Sequence, residues 1–227
     1  MSATTTARMT PAGERILATA GTLFYAHGIN AVGVDRIADE AGTTKKTLYD
    51  RFGSKEGLTL AYLRRRYATW QSFLDEYLAA APATGPDHVL VVFDAIEAWM
   101  QTNTRGCGFI NAYAELAGTG HSGLDVVLEE KTGIRALYVR LVRELGVADP
   151  ERLGGQLSLL HEGAIVAATA GDDAGAIRLA RETAEAMIGD DQVLTPRPQS
   201  GELPGDQRVR LPADTTTADL LDRDERL

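Results

Sequence analysis

The stretch Val32–Phe52, VGVDRIADEAGTTKKTLYDRF, decides how this chain is read. Val34, Ile37, Ala38 and Ala41 fall on one face of a short helix, and Gly42 stands just beyond it, where a residue at ease with positive φ closes a helix. A second short helix begins two residues later and runs from about Thr44 to Arg51, with Leu48 and Phe52 four apart on its inner side. Two short helices joined by a glycine-containing turn form a helix-turn-helix, a motif that lays its second helix in the major groove of DNA. The side chains suit that task. Thr43, Thr44, Lys45, Lys46 and Thr47 gather hydroxyls and ammonium groups at the start of the second helix, where free backbone amides and the helix dipole also favour phosphate. Burial of Leu48 and Phe52 turns Tyr49 outward, and Lys55, just after the capping Ser54, is placed for a further phosphate.

Upstream, Thr10 and Pro11 open a first helix in which Ile16, Leu17, Ala20, Leu23 and Phe24 recur at helical spacing up to Gly28. Downstream, the helix capped by Ser54 continues towards Leu78 and must break in the Pro- and Gly-containing stretch 79–86. Helices then follow from about Val89 to Met100, Phe109 to Leu116 and Leu124 to Leu145, the last with Val127, Leu128, Ile134, Leu137, Leu141 and Leu145 expected inward. Two more, one opened by Asp149 and Pro150 and one over about 174–188, are rich in Ala and Gly, which permits close helix packing. No strand alternation competes, so the expected class is all-α. The expected organisation is a disordered N-terminus over 1–9, a helix-turn-helix unit over 10–57, a helical body over 58–189 and a disordered acidic tail over 190–227.

Charge divides along the same line. The chain of 227 residues carries a net charge of −9, yet residues 1–66 hold ten Lys and Arg against six Asp and Glu, whereas residues 67–227 hold thirteen against twenty-six. A basic front on an acidic body suits a protein that meets a polyanion with one end only. The single cysteine, Cys107, excludes an intrachain disulfide and any Cys cluster for metal, and points to a reducing compartment. The N-terminal residues lack the apolar core of a signal peptide, and no apolar run is long enough to span a bilayer, so a cytoplasmic location without a membrane partner is expected.

In order and density, RILATAGTLFYAHG, VDRIADEAGTTKKTLYDRF and SKEGL resemble the DNA-binding domain of the tetracycline-repressor (TetR) family of bacterial transcriptional regulators. The resemblance covers about a quarter of the chain. It implies that Thr44, Lys45 and Thr47 lie at the groove, that Tyr49 contacts the DNA backbone and that Lys55 contacts phosphate. Val32 and Gly33 stand where a Thr pair commonly caps the second helix, Lys46 stands where a small residue is common, and Asp50 and Arg51 replace frequent His or aromatic residues. These departures bear on the operator sequence. For Lys46, Asp50 and Arg51, plain surface solvation stands beside a DNA role.

The resemblance further implies a homodimer paired through its last two helices, and a cavity for a small-molecule effector within residues 87–170. A dimer also follows from the few base pairs that one reading helix covers. Trp70, Phe93, Trp99, Phe109, Tyr113 and His161 are the candidate cavity residues, although residues of these types are more often plain core. Cys107, beside Arg105, is a candidate redox sensor, with a buried inert thiol as the other reading. No HExxH, phosphate-cradling glycine loop or nucleophile–base pattern points to an enzyme, a cofactor or a metal. The expectation is therefore a dimeric, operator-binding regulator, a repressor released by its effector. The alternative is a helical interaction protein whose acidic surface binds a basic partner.

Overall fold

The computed structural model describes residues 9–193, with side chains to 190; the expected disordered ends, apart from Met9 and 190–193, lie outside the described residues. These form nine helices and no strand: α1 (Pro11–His27), α2 (Val34–Glu40), α3 (Lys45–Phe52), α4 (Lys55–Ala80), α5 (Pro86–Thr102), α6 (Gly108–Leu116), α7 (Gly123–Glu144), α8 (Pro150–Thr169) and α9 (Ala176–Val193). The protein is all-α, with a helix-turn-helix unit at its N-terminus. Helix starts follow their caps: Thr10, Thr44, Ser54 and Asp149 each accept a backbone N–H with a side-chain oxygen, and Pro11, Pro86 and Pro150 sit at first turns.

Two apolar clusters organise the chain. One joins Ile16, Leu23 and Phe24 of α1, Ile37 of α2, Leu48 of α3 and Leu58, Tyr62 and Leu63 of α4, and continues into Phe109, Ala112 and Leu116 of α6. The other is the body core of α4, α5, α7, α8 and α9, centred on Phe93, Ile96, Tyr138, Leu141, Leu153 and Leu157. The division expected at 57–58 falls inside α4, and packing runs across it. Tyr67 and Cys107 border both clusters and so mark the seam.

One expectation about the body changes. Leu128 is 63% exposed rather than inward, because the buried stripe of α7 runs through Val126, Val127, Glu130 and Ile134 instead. Several small residues of the last two helices serve packing within the chain: a Cβ at Gly154 of α8 would lie 2.6 Å from the Val139 Cα of α7, and Ala164, Ala180 and Ala184 are buried, while Gly163 is exposed. The outward faces of α8 and α9 carry large apolar groups, with Leu159 75% and Leu179 61% exposed and Val166 exposed as well.

Candidate functional site

The reading surface is built by α2, α3 and the start of α4. Leu48 is fully buried and Phe52 half-buried, which fixes the rotation of α3 and leaves Lys45, Lys46, Tyr49 and Asp50 on the outside. Thr44 is the N-cap: its Oγ1 accepts from the Thr47 amide at 3.1 Å and lies 2.9 Å from Thr47 Oγ1, so these hydroxyls first hold the helix start. The half-buried Thr43 donates its hydroxyl to Thr44 O. Gly33 caps α2 with no side-chain hydrogen bond, which leaves only backbone N–H groups there for an anion.

Acidic neighbours partly neutralise this surface. Lys45 Nζ lies 3.0 Å from Asp35 Oδ1 of α2, and Lys46 Nζ lies 2.6 Å from Asp50 Oδ2 one turn on. The Asp35 hydrogen bond and charge raise the Lys45 pKa. Lys55 differs. Partial burial lowers its pKa, Glu115 opposing, while its ammonium reaches Asn30 O at 3.4 Å.

The second feature is a cavity of about 30 Å³ at the seam between the two apolar clusters. Trp70, Trp99, Phe109, His161 and Cys107 all line it. Phe93 and Tyr113 do not. Phe93 is fully buried in the body core with its ring 5.7 Å from that of Tyr138, and Tyr113 is 55% exposed on the outer side of α6. The volume holds a water-sized molecule, far below the ~300–1,000 Å³ of ligand pockets.

One end of this cavity is charged. Lys131 Nζ lies 2.8 Å from Glu162 Oε1, 3.1 Å from Glu130 Oε2 and 3.3 Å from Cys107 Sγ. Burial opposes the Lys131 charge, but Cys107, Glu130 and Glu162 outweigh it and raise its pKa. Burial raises the Glu130 pKa in turn, with the Lys131 charge and hydrogen bond opposing. His161 is buried with Nδ1 3.2 Å from the Tyr138 hydroxyl, and burial, aided by the Lys131 charge, pushes its pKa down to about 3. Sequence reading missed Glu130, Lys131 and Glu162. A signal existed: Glu130 and Lys131 stand four residues after Val126 and Val127, on the buried stripe of α7. Arg105, expected to accompany Cys107, instead sends NH1 to Tyr25 O of α1, 2.6 Å away.

Helix α6 connects the two features. Cys107, at its N-cap, lines the cavity, while Glu115, near its other end, accepts the Ile29 and Asn30 amides at 2.9 and 2.6 Å. Gly28 has φ +93°, and a Cβ there would meet Glu115 Oε1 at 2.9 Å, so the close approach of the α1–α2 loop to α6 depends on glycine. Among the described residues, no group of three His, Cys, Asp or Glu side chains could hold a metal ion, and no helix is long and apolar enough to cross a membrane.

Comparison with known proteins places this geometry. Residues 16–62 match the family model described as bacterial regulatory proteins, tetR family. The chain is 45% identical over 58 residues to the transcriptional activator FasR of Mycolicibacterium smegmatis, covering 24% of this chain and 26% of that protein. It is 26% identical over 126 residues to the transcriptional repressor NemR of Escherichia coli K12, covering 55% of this chain and 63% of that protein. The matches thus span less than two thirds of these curated relatives. Among solved structures, a TetR-family transcriptional regulator from Streptomyces coelicolor superposes with a TM-score of 0.74 at 30% identity, covering 79% of this chain and 95% of that one. The TetR family consists of transcriptional regulators, not enzymes. With the helix-turn-helix matched locally and the fold matched over nearly the whole of that regulator, the chain belongs to the TetR family.

Proposed function

We propose that the protein is a homodimeric regulator that binds operator DNA through α3 and is released when a small molecule enters the body. The observation that carries this reading is the outward N-terminus of α3. Lys45, Lys46 and Tyr49 project from a helix fixed by Leu48, Thr43, Thr44 and Thr47 hold its start, and Lys55 stands at the next helix start. A short helix presenting cations and hydroxyls at its start fits the major groove and the phosphates flanking it.

Leu159, Val166 and Leu179 support the dimer. Three large apolar side chains exposed on the last two helices are a surface that a second copy would cover. Similarity to a relative named a repressor favours repression, although another relative is named an activator. Release fits the placement of α6, with Cys107 at the cavity and Glu115 on the α1–α2 loop: opening the cavity would move α6 and with it the head. A sensing role for Cys107 fits the same placement, its thiol half-buried and contacted by Lys131.

The test is a footprint on fragments that the protein selects from genomic DNA. Two protected half-sites related by a twofold axis, about 34–36 Å apart or a multiple of that, are expected. A single asymmetric site, or no enrichment, contradicts the reading. The Leu159→Asp, Leu179→Asp double variant is expected to sediment as a monomer and to lose the paired footprint. Dimeric sedimentation of that variant counts against this face.

A further inference from the structure

A second concavity lies outside the cavity wall. It is a solvent-open groove of about 640 Å³ between α1, the middle of α4 and the loop joining α5 to α6. Its volume falls within the ~300–1,000 Å³ of sites that take small organic molecules. Arg66 and Trp99 line both spaces, so they form the wall between them.

The electrostatics of the groove are one-sided. It holds Arg65, Arg66 and Arg105 and no acidic lining residue. Arg65 is paired with Glu14 of α1 at 2.6 Å. Arg66 and Arg105 have only neutral hydrogen-bond partners among the described residues: Arg66 NH2 donates to Asn103 Oδ1 at 3.0 Å, and Arg105 NH1 donates to Tyr25 O. Glu130, which lines the inner space with Arg66, is paired with Lys131 at 3.1 Å and feels the Arg66 charge more weakly. The Arg66 guanidinium lies 4.3 Å from the centre of the Tyr25 ring, which helps to hold it in place, with the Trp99 ring 5.8 Å away. Arg105, without an acidic partner, and Arg66, set against aromatic rings and sharing only the Glu130 charge that Lys131 already pairs, suit a carboxylate carried on a flat apolar body. Thr22, Thr69 and Thr102 add hydroxyls along the rim.

We infer that this groove is a binding site, separate from the inner cavity, for a small organic anion of the aromatic carboxylate type. The carboxylate pairs with Arg66 and Arg105, and the ring lies against Tyr25, Tyr62 and Trp99. Because the lining comes from α1 on one side and from α4 and the α5–α6 loop on the other, the anion ties the DNA-reading head to the body. It stabilises whichever head position the groove's closed form imposes.

The probe is benzoate, with benzamide as its neutral counterpart of like shape and inorganic phosphate as an anion without a ring. The readout is tryptophan fluorescence of the full chain without DNA, which depends on neither operator binding nor dimer formation. Trp99 lines the groove and Trp70, the other tryptophan, has its ring 5.3 Å away. Saturable quenching by benzoate is expected, with benzamide and phosphate at least about tenfold weaker, the scale of one charge-assisted hydrogen bond or one buried ring. Arg105→Gln is expected to weaken benzoate about tenfold. Thr69→Glu, on the exposed rim, should do the same by placing a carboxylate in the groove without disturbing Arg105. Ile165→Phe, which fills the inner cavity only, should leave benzoate binding unchanged. Equal binding of benzamide or phosphate overturns the proposal, as does loss of benzoate binding in Ile165→Phe or full binding in Thr69→Glu.

Discussion

The head and the cavity both use lysine–carboxylate pairs, and they use them oppositely. Lys45 and Lys46 pair with Asp35 and Asp50 on the outside of the molecule, where water screens the pairs and another anion can displace the acid. Lys131 pairs with Glu130 and Glu162 at a half-closed cavity, where the charges have few other partners and removing one leaves the rest exposed to a poor solvent. The first arrangement keeps a cation available for a partner, and the second locks a junction until something opens it.

The largest test of this contrast replaces each lysine in turn. Lys131→Met should destabilise the protein by about 3 kcal/mol in urea unfolding, because Glu130 and Glu162 then face each other without their counter-ion. Adding Glu162→Gln should restore most of that loss. Lys45→Met should leave the urea midpoint where it was and weaken DNA binding only. Equal midpoints for the two single variants would erase the distinction.

Next in size is the clasp that joins the regions. Glu115→Gln keeps the shape of the side chain but removes the charge that receives two backbone amides, and should cost about 1–3 kcal/mol of stability. Amide exchange at Ile29 and Asn30 should quicken more than at Leu48. An unchanged exchange rate there means the head is held by apolar packing alone.

The pH dependence is smaller. His161 has a folded pKa of about 3 and an unfolded value near ~6.5, so below about pH 6.5 the unfolded chain takes up a proton that the folded one refuses. Its contribution is complete above that pH and declines on acidification towards pH 3. Glu130, raised by burial, has the opposite slope just above the ordinary carboxylate range. Between pH 7 and pH 5, wild type should therefore lose about 1–2 kcal/mol more than His161→Gln. Parallel pH curves would contradict a neutral buried imidazole.

The smallest effect belongs to the head. Asp35→Asn frees Lys45 from its partner and removes a negative charge facing DNA, so duplex binding should tighten about threefold to tenfold, measured at one fixed salt concentration. Weaker binding would mean that Asp35 orients Lys45 for the groove.

Legibility in sequence follows the same contrast. The head is encoded in consecutive residues: caps at Thr44 and Ser54, a glycine stop, and Leu48 and Phe52 four apart place α3 before any tertiary contact is known. Its weak point was Asp35, ten residues from Lys45 in sequence yet in contact with it, since spacing within one helix does not report pairs between helices. The cavity draws on five helices, and aromatic type alone could not separate its lining from core. Trp99 and Phe109 line it, Phe93 packs on Tyr138 instead, and Tyr113, one turn from Phe109, faces solvent. Its charged end was hidden because Glu130 and Lys131 read as surface charges, although their spacing from Val126 and Val127 set them on the buried stripe. Ala and Gly in the last two helices were legible as a sign of close packing but not of which partner is approached: Gly154 meets α7 of its own chain.

The central claim is that α3 enters DNA by its N-terminal, outward face. The most direct measurement is fluorescence anisotropy of a labelled genomic fragment selected by the protein, titrated with wild type and with Lys45→Ala, Tyr49→Ala at several salt concentrations. The double variant, its melting temperature unchanged, should bind about a hundredfold more weakly, with a salt slope reduced by at least about one. Full affinity and an unchanged slope in the double variant would show that the duplex is held by some other surface.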